Sequence, residues 1–269
     1  MKVFEFVPEG ETNCSVQAWI HDQNQSIYVE QRVLPAIIIC PGGGYERVVD
    51  REAEPVANAY YAAGYNTYIL TYSAGEDAKD FVPLKQLAAT IAQIRANEET
   101  WYTDKNKIAV CGFSAGGHLA ASLGTLFNED KFLKAFGRDE HIRPDAMILG
   151  YPVITSDEYA HVWSIQNVSG AEKGSEEYTW FGLDKHVDEQ TPPTFMWHTA
   201  EDKSVPVENS LKMASALSKF KIPFEYHVFP DGRHGLSVCT VEIGRQHAYN
   251  ARWVEWSICW LNKVFQFEL

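Results

Sequence analysis

An α/β fold on a mostly parallel sheet, with helices covering both faces, is what this sequence predicts. Three observations carry it. Short apolar, β-branched runs recur along the chain, segments of helical length separate them, and the runs are apolar at successive rather than alternate positions. Alternation marks a strand with one wet face. Continuous apolar character marks a strand covered on both sides, as parallel strands are when helices cross over between them.

At the amino end, VQAWIH at 16–21 and SIYVEQRV at 26–33 do alternate, and they predict an antiparallel pair flanking the parallel strands. The parallel series is read as AIIIC at 36–40, NTYILTY at 66–72, KIAVCGF at 107–113, AMILGYPV at 146–153, TFMWHTA at 194–200 and FEYHVF at 224–229. Amphipathic helices are expected at about 52–63, 83–97, 115–127, 206–220 and 243–265. The last of these carries Trp253, Trp256 and Trp260 at helical spacing, read as docking surface. Between Ser156 and Pro193 the pattern breaks into polar, Gly- and aromatic-containing sequence, long for a plain connection; residues 156–193 are read as a substrate-side insertion. With 269 residues, no internal repeat and no low-complexity linker, one domain over 1–269 is expected.

The composition, 45% apolar and 22% charged, is that of a globular chain, and no apolar run reaches the ~20 residues a membrane span needs. A formal charge of −13 argues against a nucleic-acid partner, which would be held by clustered Lys and Arg. The opening MKVFEFVPEGE has acids at Glu5 and Glu9 where a secretory signal would have an apolar core, so a cytoplasmic location is expected. Cys14, Cys40, Cys111, Cys239 and Cys259 lie far apart in no metal-ligand spacing, and an odd count points to free thiols.

The most specific chemical signal is Gly112-Phe113-Ser114-Ala115-Gly116, between a strand-like run and the helix-like GGHLAASLGTL. A serine at a sharp strand-to-helix turn has its hydroxyl exposed above the sheet, and small neighbours let the backbone bend there. The Ala115 amide, at the helix start, then faces the oxyanion that develops on attack. Pro41-Gly42-Gly43-Gly44-Tyr45 directly follows AIIIC; a glycine-rich loop there can bring the Gly43 and Gly44 amides to the same oxygen. No GK[ST] follows, which disfavours a P-loop. Tyr45 is expected beside the pocket, in contact with substrate.

A serine hydroxyl needs a base, and the base needs a partner to hold its tautomer. His234, in the turn-rich PDGRHG beyond FEYHVF, is the candidate base; His118 falls on the helix after the serine, and His198 and His227 fall within strands, where a packing role is expected. Asp202 follows TFMWHTA and precedes Val205-Pro206 at the next helix start, where an orienting acid should sit. Glu201 and Asp231 compete for that role.

At these residues the chain resembles the carbohydrate-esterase branch of the α/β-hydrolases, the acetyl-xylan-esterase-like proteins. The matching stretches are CPGGGY at 40–45, GFSAGGHLAA at 112–121, LGYPVI at 149–154, TPPTFMWHTAEDKSVPVENS at 191–210 and PDGRHGLS at 230–237, in collinear order. The resemblance implies an α/β-hydrolase fold, no metal or other cofactor, a small-molecule ester or acetylated saccharide as substrate, and Ser114, Asp202 and His234 as a triad. Cys40 departs from the histidine that related esterases often carry before the glycines. A xylanase label also used for such proteins would imply glycosidic cleavage by two carboxylic acids, and no such pair is evident. An amide hydrolase with the same triad and a non-catalytic binding protein on the same fold are the alternatives, and the choice between monomer and homo-oligomer is left open.

Overall fold

The computed structural model describes residues 1–23, 32–138 and 141–268. Its centre is an eight-stranded sheet. The strands are β1 (Lys2–Phe6), β2 (Ser15–Ile20), β3 (Leu34–Cys40), β4 (Asn66–Thr71), β5 (Thr103–Phe113), β6 (Ala146–Gly150), β7 (Thr194–Thr199) and β8 (Phe224–Phe229). They lie in the order β1-β2-β4-β3-β5-β6-β7-β8. From β4 across to β8 every pairing is parallel, while β2 is antiparallel to both β1 and β4.

All seven residues of β3 are buried, and alternate side chains enter different cores. Ile38 and Cys40 pack with Leu87, Ile91, Leu119 and Leu123, from the helices α2 (Val82–Ala96) and α4 (Ala115–Leu126). Ile37 and Ile39 pack on the other face with Val56 and Tyr60 of α1 (Glu54–Ala62) and Trp253 and Leu261 of α9 (Arg252–Phe265). Each such side chain contributes about 1.5–3 kcal/mol of burial, so the doubly covered strands form the most strongly specified part of the chain. Of the remaining helices, α3 (Glu98–Trp101) leads into β5, α5 (Asp130–Phe136) follows α4, and α8 (Glu208–Lys219) connects β7 to β8. Residues 156–193 leave the sheet after β6 and carry α6 (Val162–Ser169) and α7 (Glu176–Trp180).

Two expectations change. The antiparallel partner of β2 on its outer side is Lys2–Phe6, whereas SIYVEQRV falls largely outside the described residues, and its last two residues are not in a strand. The final helix begins at Arg252 rather than near 243, because residues 240–250 form turns; Gly244 takes φ +65°, and His247 donates its backbone N–H to the Cys239 carbonyl at 2.9 Å. Trp253 is fully buried in the second core and stacks on Trp197 with ring centroids 5.1 Å apart, so the helix docks through it. Among the described residues no helix is long and apolar enough to cross a membrane. All five cysteines are free thiols.

Candidate active site

Ser114 sits between β5 and α4 with φ +55° and ψ −120°, a conformation that costs a non-glycine residue on the order of 1–3 kcal/mol. Its own backbone is pinned on both sides: its N–H donates to the Gly150 carbonyl at 3.1 Å, and its carbonyl accepts from Val153 and His118 at 3.0 Å each. The flanking glycines are required by close approach. A Cβ on Gly112 would strike the Gly116 carbonyl, and one on Gly116 would strike the carbonyls of Cys40 and Pro41. The turn thus carries the serine and presses α4 onto the end of β3, where the glycine loop begins.

Asp202 follows β7 and His234 follows β8, so both emerge at the same carboxyl edge of the sheet as Ser114. His234 Nε2 lies 2.8 Å from Ser114 Oγ, and His234 Nδ1 lies 2.6 Å from Asp202 Oδ2. With Nδ1–H donating to the carboxylate, Nε2 is left to accept the serine proton. The other Asp202 oxygen, Oδ1, accepts the backbone N–H groups of Ser204 at 2.9 Å and Val205 at 3.0 Å. Burial works to raise the Asp202 pKa. It is outweighed by hydrogen bonds from His198 and His234, the charge of His234 and the Val205 amide, which hold the carboxyl well below the usual carboxylate range. Asp202 is therefore ionised throughout the neutral range. Glu201 is exposed, and Asp231 accepts from His247 Nε2 at 2.9 Å, while the hydrogen bond of His234 Nδ1 goes to Asp202.

The Gly42 N–H donates to Glu52 Oε2 at 2.8 Å, and the carbonyls of Gly42 and Gly43 accept from Val49 and from Glu46 and Arg47. The N–H groups of Gly43, Gly44 and Ala115 have no acceptor among the described residues. Unengaged backbone donors beside a nucleophile are what an oxyanion hole requires; Ala115 directly follows Ser114, and the glycine loop touches the Ser114 turn through Gly42. Gly43 has φ +134°, and a Cβ there would collide with the Arg47 carbonyl. Gly43→Ala is expected to lower turnover about 100-fold with substrate affinity little changed, whereas Gly44→Ala, whose Cβ meets nothing nearer than Ser164 Oγ at 3.9 Å, should cost less; steady-state kinetics on a chromogenic acetate measures both.

Tyr45 is not where the sequence suggested. Its side chain is fully buried, and its hydroxyl donates to His118 Nδ1 at 2.9 Å instead of facing substrate. His118 Nε2–H donates to the Phe181 carbonyl at 3.0 Å, and burial lowers its pKa to about 4, so the ring is neutral and Nδ1 is an acceptor. The reason for the reversal is backbone: Tyr45 has φ +57°, which turns its side chain inward under the loop. Tyr45→Phe should accordingly lower stability by about 1–3 kcal/mol in thermal unfolding, with no rise in KM.

Other residues at the site carried no sequence signal beyond position. His198, read as strand packing, is buried with Nδ1 on Ser210 Oγ at 2.8 Å and Nε2–H on the Val205 carbonyl at 3.0 Å, and it approaches Asp202 Oδ2 at 3.5 Å. Tyr151, directly after β6, lies edge-on to the His234 ring with centroids 5.0 Å apart. The Arg245 guanidinium holds the backbone carbonyls of His234 and Gly235 at 2.6 and 2.9 Å. On α6, Asn167 donates to the Gly44 carbonyl at 2.8 Å and, just before that helix, His161 Nδ1 pairs with Ser164 Oγ at 2.8 Å. Ser164 and Asn167 of α6 therefore lie against the glycine loop. Among the described residues no group of His, Cys, Asp and Glu is arranged to hold a metal ion.

This sheet order, with a strained serine after the fifth strand and an aspartate and a histidine after the last two, defines an α/β-hydrolase. Within that class the chain belongs to the BD-FAE family, whose model matches residues 26–217. It is similar to the endo-1,4-beta-xylanase B of Butyrivibrio fibrisolvens, 40% identical over 211 residues that make up 77% of this chain and 33% of that protein. The chain spans between about a third and about half of the length of the curated relatives it matches. Among solved structures, the acetyl ester-xyloside bifunctional hydrolase from Caldicellulosiruptor lactoaceticus superposes with a TM-score of 0.82 at 34% identity, over 98% of this chain and 92% of that one. The carboxylesterase Cest-2923 from Lactobacillus plantarum WCFS1 superposes with a TM-score of 0.89 at 27% identity over the whole of both chains.

Proposed function

We propose that the chain is a serine esterase that removes short acyl groups, acetyl above all, from sugars or oligosaccharides. The observation that carries this reading is the continuous relay from Ser114 Oγ through His234 to Asp202, together with the unengaged amides of Gly43, Gly44 and Ala115. Ser114 Oγ attacks the ester carbonyl while His234 Nε2 takes its proton, and the resulting oxyanion is received by the free amides. His234 then protonates the departing alcohol, leaving an acyl-enzyme. Water, deprotonated by the same nitrogen, attacks the acyl carbon; the tetrahedral intermediate collapses, the proton returns to Ser114, and the acid leaves.

Support for a small acyl group comes from Ser114 being only 7% exposed. Support for a sugar alcohol comes from the names of the xylan- and xyloside-directed relatives and from a groove of about 430 Å³ beside α6, where Trp163 stands 57% exposed next to Gln166, Asn167, Lys79 and Glu46. An aromatic face with polar neighbours suits the alternating apolar and hydroxylated surfaces of a pyranose. Glycosidic cleavage would need two carboxyl groups flanking the bond, and the buried carboxylates near Ser114 are engaged: Asp202 by His234, and Glu52 by Gly42 and Tyr151. Free thiols, four of them buried, fit a reducing compartment, so a cytoplasmic place of action is part of the same reading.

A panel of nitrophenyl esters of increasing acyl length, acetylated xylo-oligosaccharides and aminoacyl amides, run against Ser114→Ala as blank, tests it. Ser114-dependent release of acetate from the oligosaccharides is the expected result. Cleavage of amides in preference to every ester would overturn it.

A further inference from the structure

Glu52 has no solvent exposure, stands in the short 3-10 turn Asp50–Glu52 ahead of α1, and takes no part in the steps above. A buried carboxylate persists only when its oxygens are hydrogen-bonded. Here two of the partners, Gly42 and Tyr151, belong to loops that border the active site. Oε2 accepts the Gly42 N–H at 2.8 Å; Oε1 accepts the Tyr151 hydroxyl at 2.9 Å, with Arg51 Nη2 at 3.4 Å. The Tyr151 oxygen in turn accepts the Ser237 N–H at 2.8 Å, three residues beyond His234, and the Tyr151 ring stands edge-on against the His234 imidazole. Ser237 Oγ closes the circuit by donating to the Arg51 carbonyl at 2.6 Å.

Gly42 connects this circuit to the reacting atoms. A Cβ at that position would lie 2.7 Å from the Phe113 carbonyl, 2.7 Å from Glu52 Oε2 and 3.0 Å from Ser114 Cβ, so the loop rests directly on the nucleophile's turn. Whatever fixes the Gly42 amide fixes where the next two amides, those of Gly43 and Gly44, stand relative to Ser114. We propose that Glu52 is a positioning residue that sets the oxyanion donors of the glycine loop and, through Tyr151 and Ser237, braces His234 in the same register. One carboxylate thereby ties together the loops after β3, β6 and β8. Its role rests on the esterase reading of Ser114.

The test compares Glu52→Gln, Glu52→Ala and Tyr151→Phe by kinetics on a chromogenic acetate, by inhibition with phenylboronic acid and by the rate at which a fluorophosphonate labels Ser114. Phenylboronic acid adds to the serine oxygen and places a boron-bound oxygen in the oxyanion site, so its affinity reads the donors directly. In Glu52→Gln the new amide oxygen can still accept from Gly42, but the amide nitrogen then faces Tyr151, whose hydroxyl proton loses its acceptor. The expected order is a fall in kcat of about tenfold for Glu52→Gln and about 100-fold for Glu52→Ala, KM within twofold, and boronate affinity and labelling rate falling in step with kcat. A role confined to stability would lower the melting temperature but leave boronate affinity and labelling rate of the folded protein at wild-type values. That result would overturn the assignment.

Should Glu52→Gln not fold, Tyr151→Phe decides. It leaves Glu52 and its bond to Gly42 in place and removes the hydroxyl that links Glu52 Oε1 to the Ser237 N–H, so a kcat reduced about three- to tenfold supports the bracing role, and wild-type kcat removes it. The esterase reading fails separately, through a wild-type protein that hydrolyses no ester. In that event, the fluorophosphonate rate in wild type against Glu52→Gln still decides whether Glu52 positions the site.

Discussion

Ser114→Ala is expected to lower ester turnover by about 10⁶-fold, the scale seen when a serine hydrolase loses its nucleophile. The side chain removed makes one hydrogen bond, to His234 Nε2 at 2.8 Å, and that nitrogen belongs to a ring 19% exposed, so the loss leaves no fully buried group unpaired. The strained backbone at φ +55° is imposed by the surrounding turn rather than by the hydroxyl, and alanine tolerates it no better and no worse. The variant should therefore fold, melt within a few degrees of wild type and retain only the rate that the oxyanion donors supply by themselves, about 10³–10⁴ over water. Turnover of a chromogenic acetate, with circular dichroism as the control for folding, measures this. Activity within tenfold of wild type would remove Ser114 from the mechanism.

Asp202→Asn should cost about 10⁴-fold in turnover without changing the size of the side chain. The amide must choose an orientation. Its oxygen stays with the Ser204 and Val205 N–H groups, which donate to Oδ1, and its nitrogen then takes the place of Oδ2 against His234 Nδ1. An N–H directed at Nδ1 makes that nitrogen the acceptor, so the ring proton moves to Nε2. Nε2–H then faces Ser114 Oγ as a donor and can no longer receive its proton. Glu201→Gln, at an exposed position beside it, should change turnover by less than about threefold. Equal losses in the two variants, measured side by side on the same ester, would shift the orienting role away from Asp202.

The relatives bear on substrate rather than on these residues. The chain matches about a third of the Butyrivibrio protein, and the activity in that protein's name is said of that longer molecule. The solved neighbours, by contrast, are matched over nearly their whole length. A reading built on Ser114 and the acylated alcohol suits the part of the fold the chain shares with them.

What could be read from the residues was local. AIIIC, KIAVCGF and TFMWHTA are apolar on both faces, and a strand with this character has one favourable environment, the interior of a covered sheet; β3, β5 and β7 each lie between two other strands there. Gly112 to Gly116 spells a turn within five residues, and the folded backbone takes the strained angle there, although Gly116 is also required by the approach of Cys40 and Pro41 from the end of β3. Chain order selected Asp202 and His234 as candidates, and the parallel order of β5, β6, β7 and β8 brings them to one edge although Ser114 and His234 are 120 residues apart.

Packing between distant loops decided the rest. Glu52 reads in sequence as an acid near a helix start; only the meeting of Gly42 with Tyr151, 99 residues beyond Glu52, makes it a buried hub. Tyr45 follows a loop that points at the nucleophile, yet a positive φ turns it to His118 and away from substrate. Lys2–Phe6 alternates too briefly to announce itself as a strand and becomes one because β2 offers it an open edge. Periodicity and turn chemistry act over a few residues, so composition can encode them. Which buried donor meets which acceptor depends on where separate loops converge, and that is settled only when the sheet has brought them together.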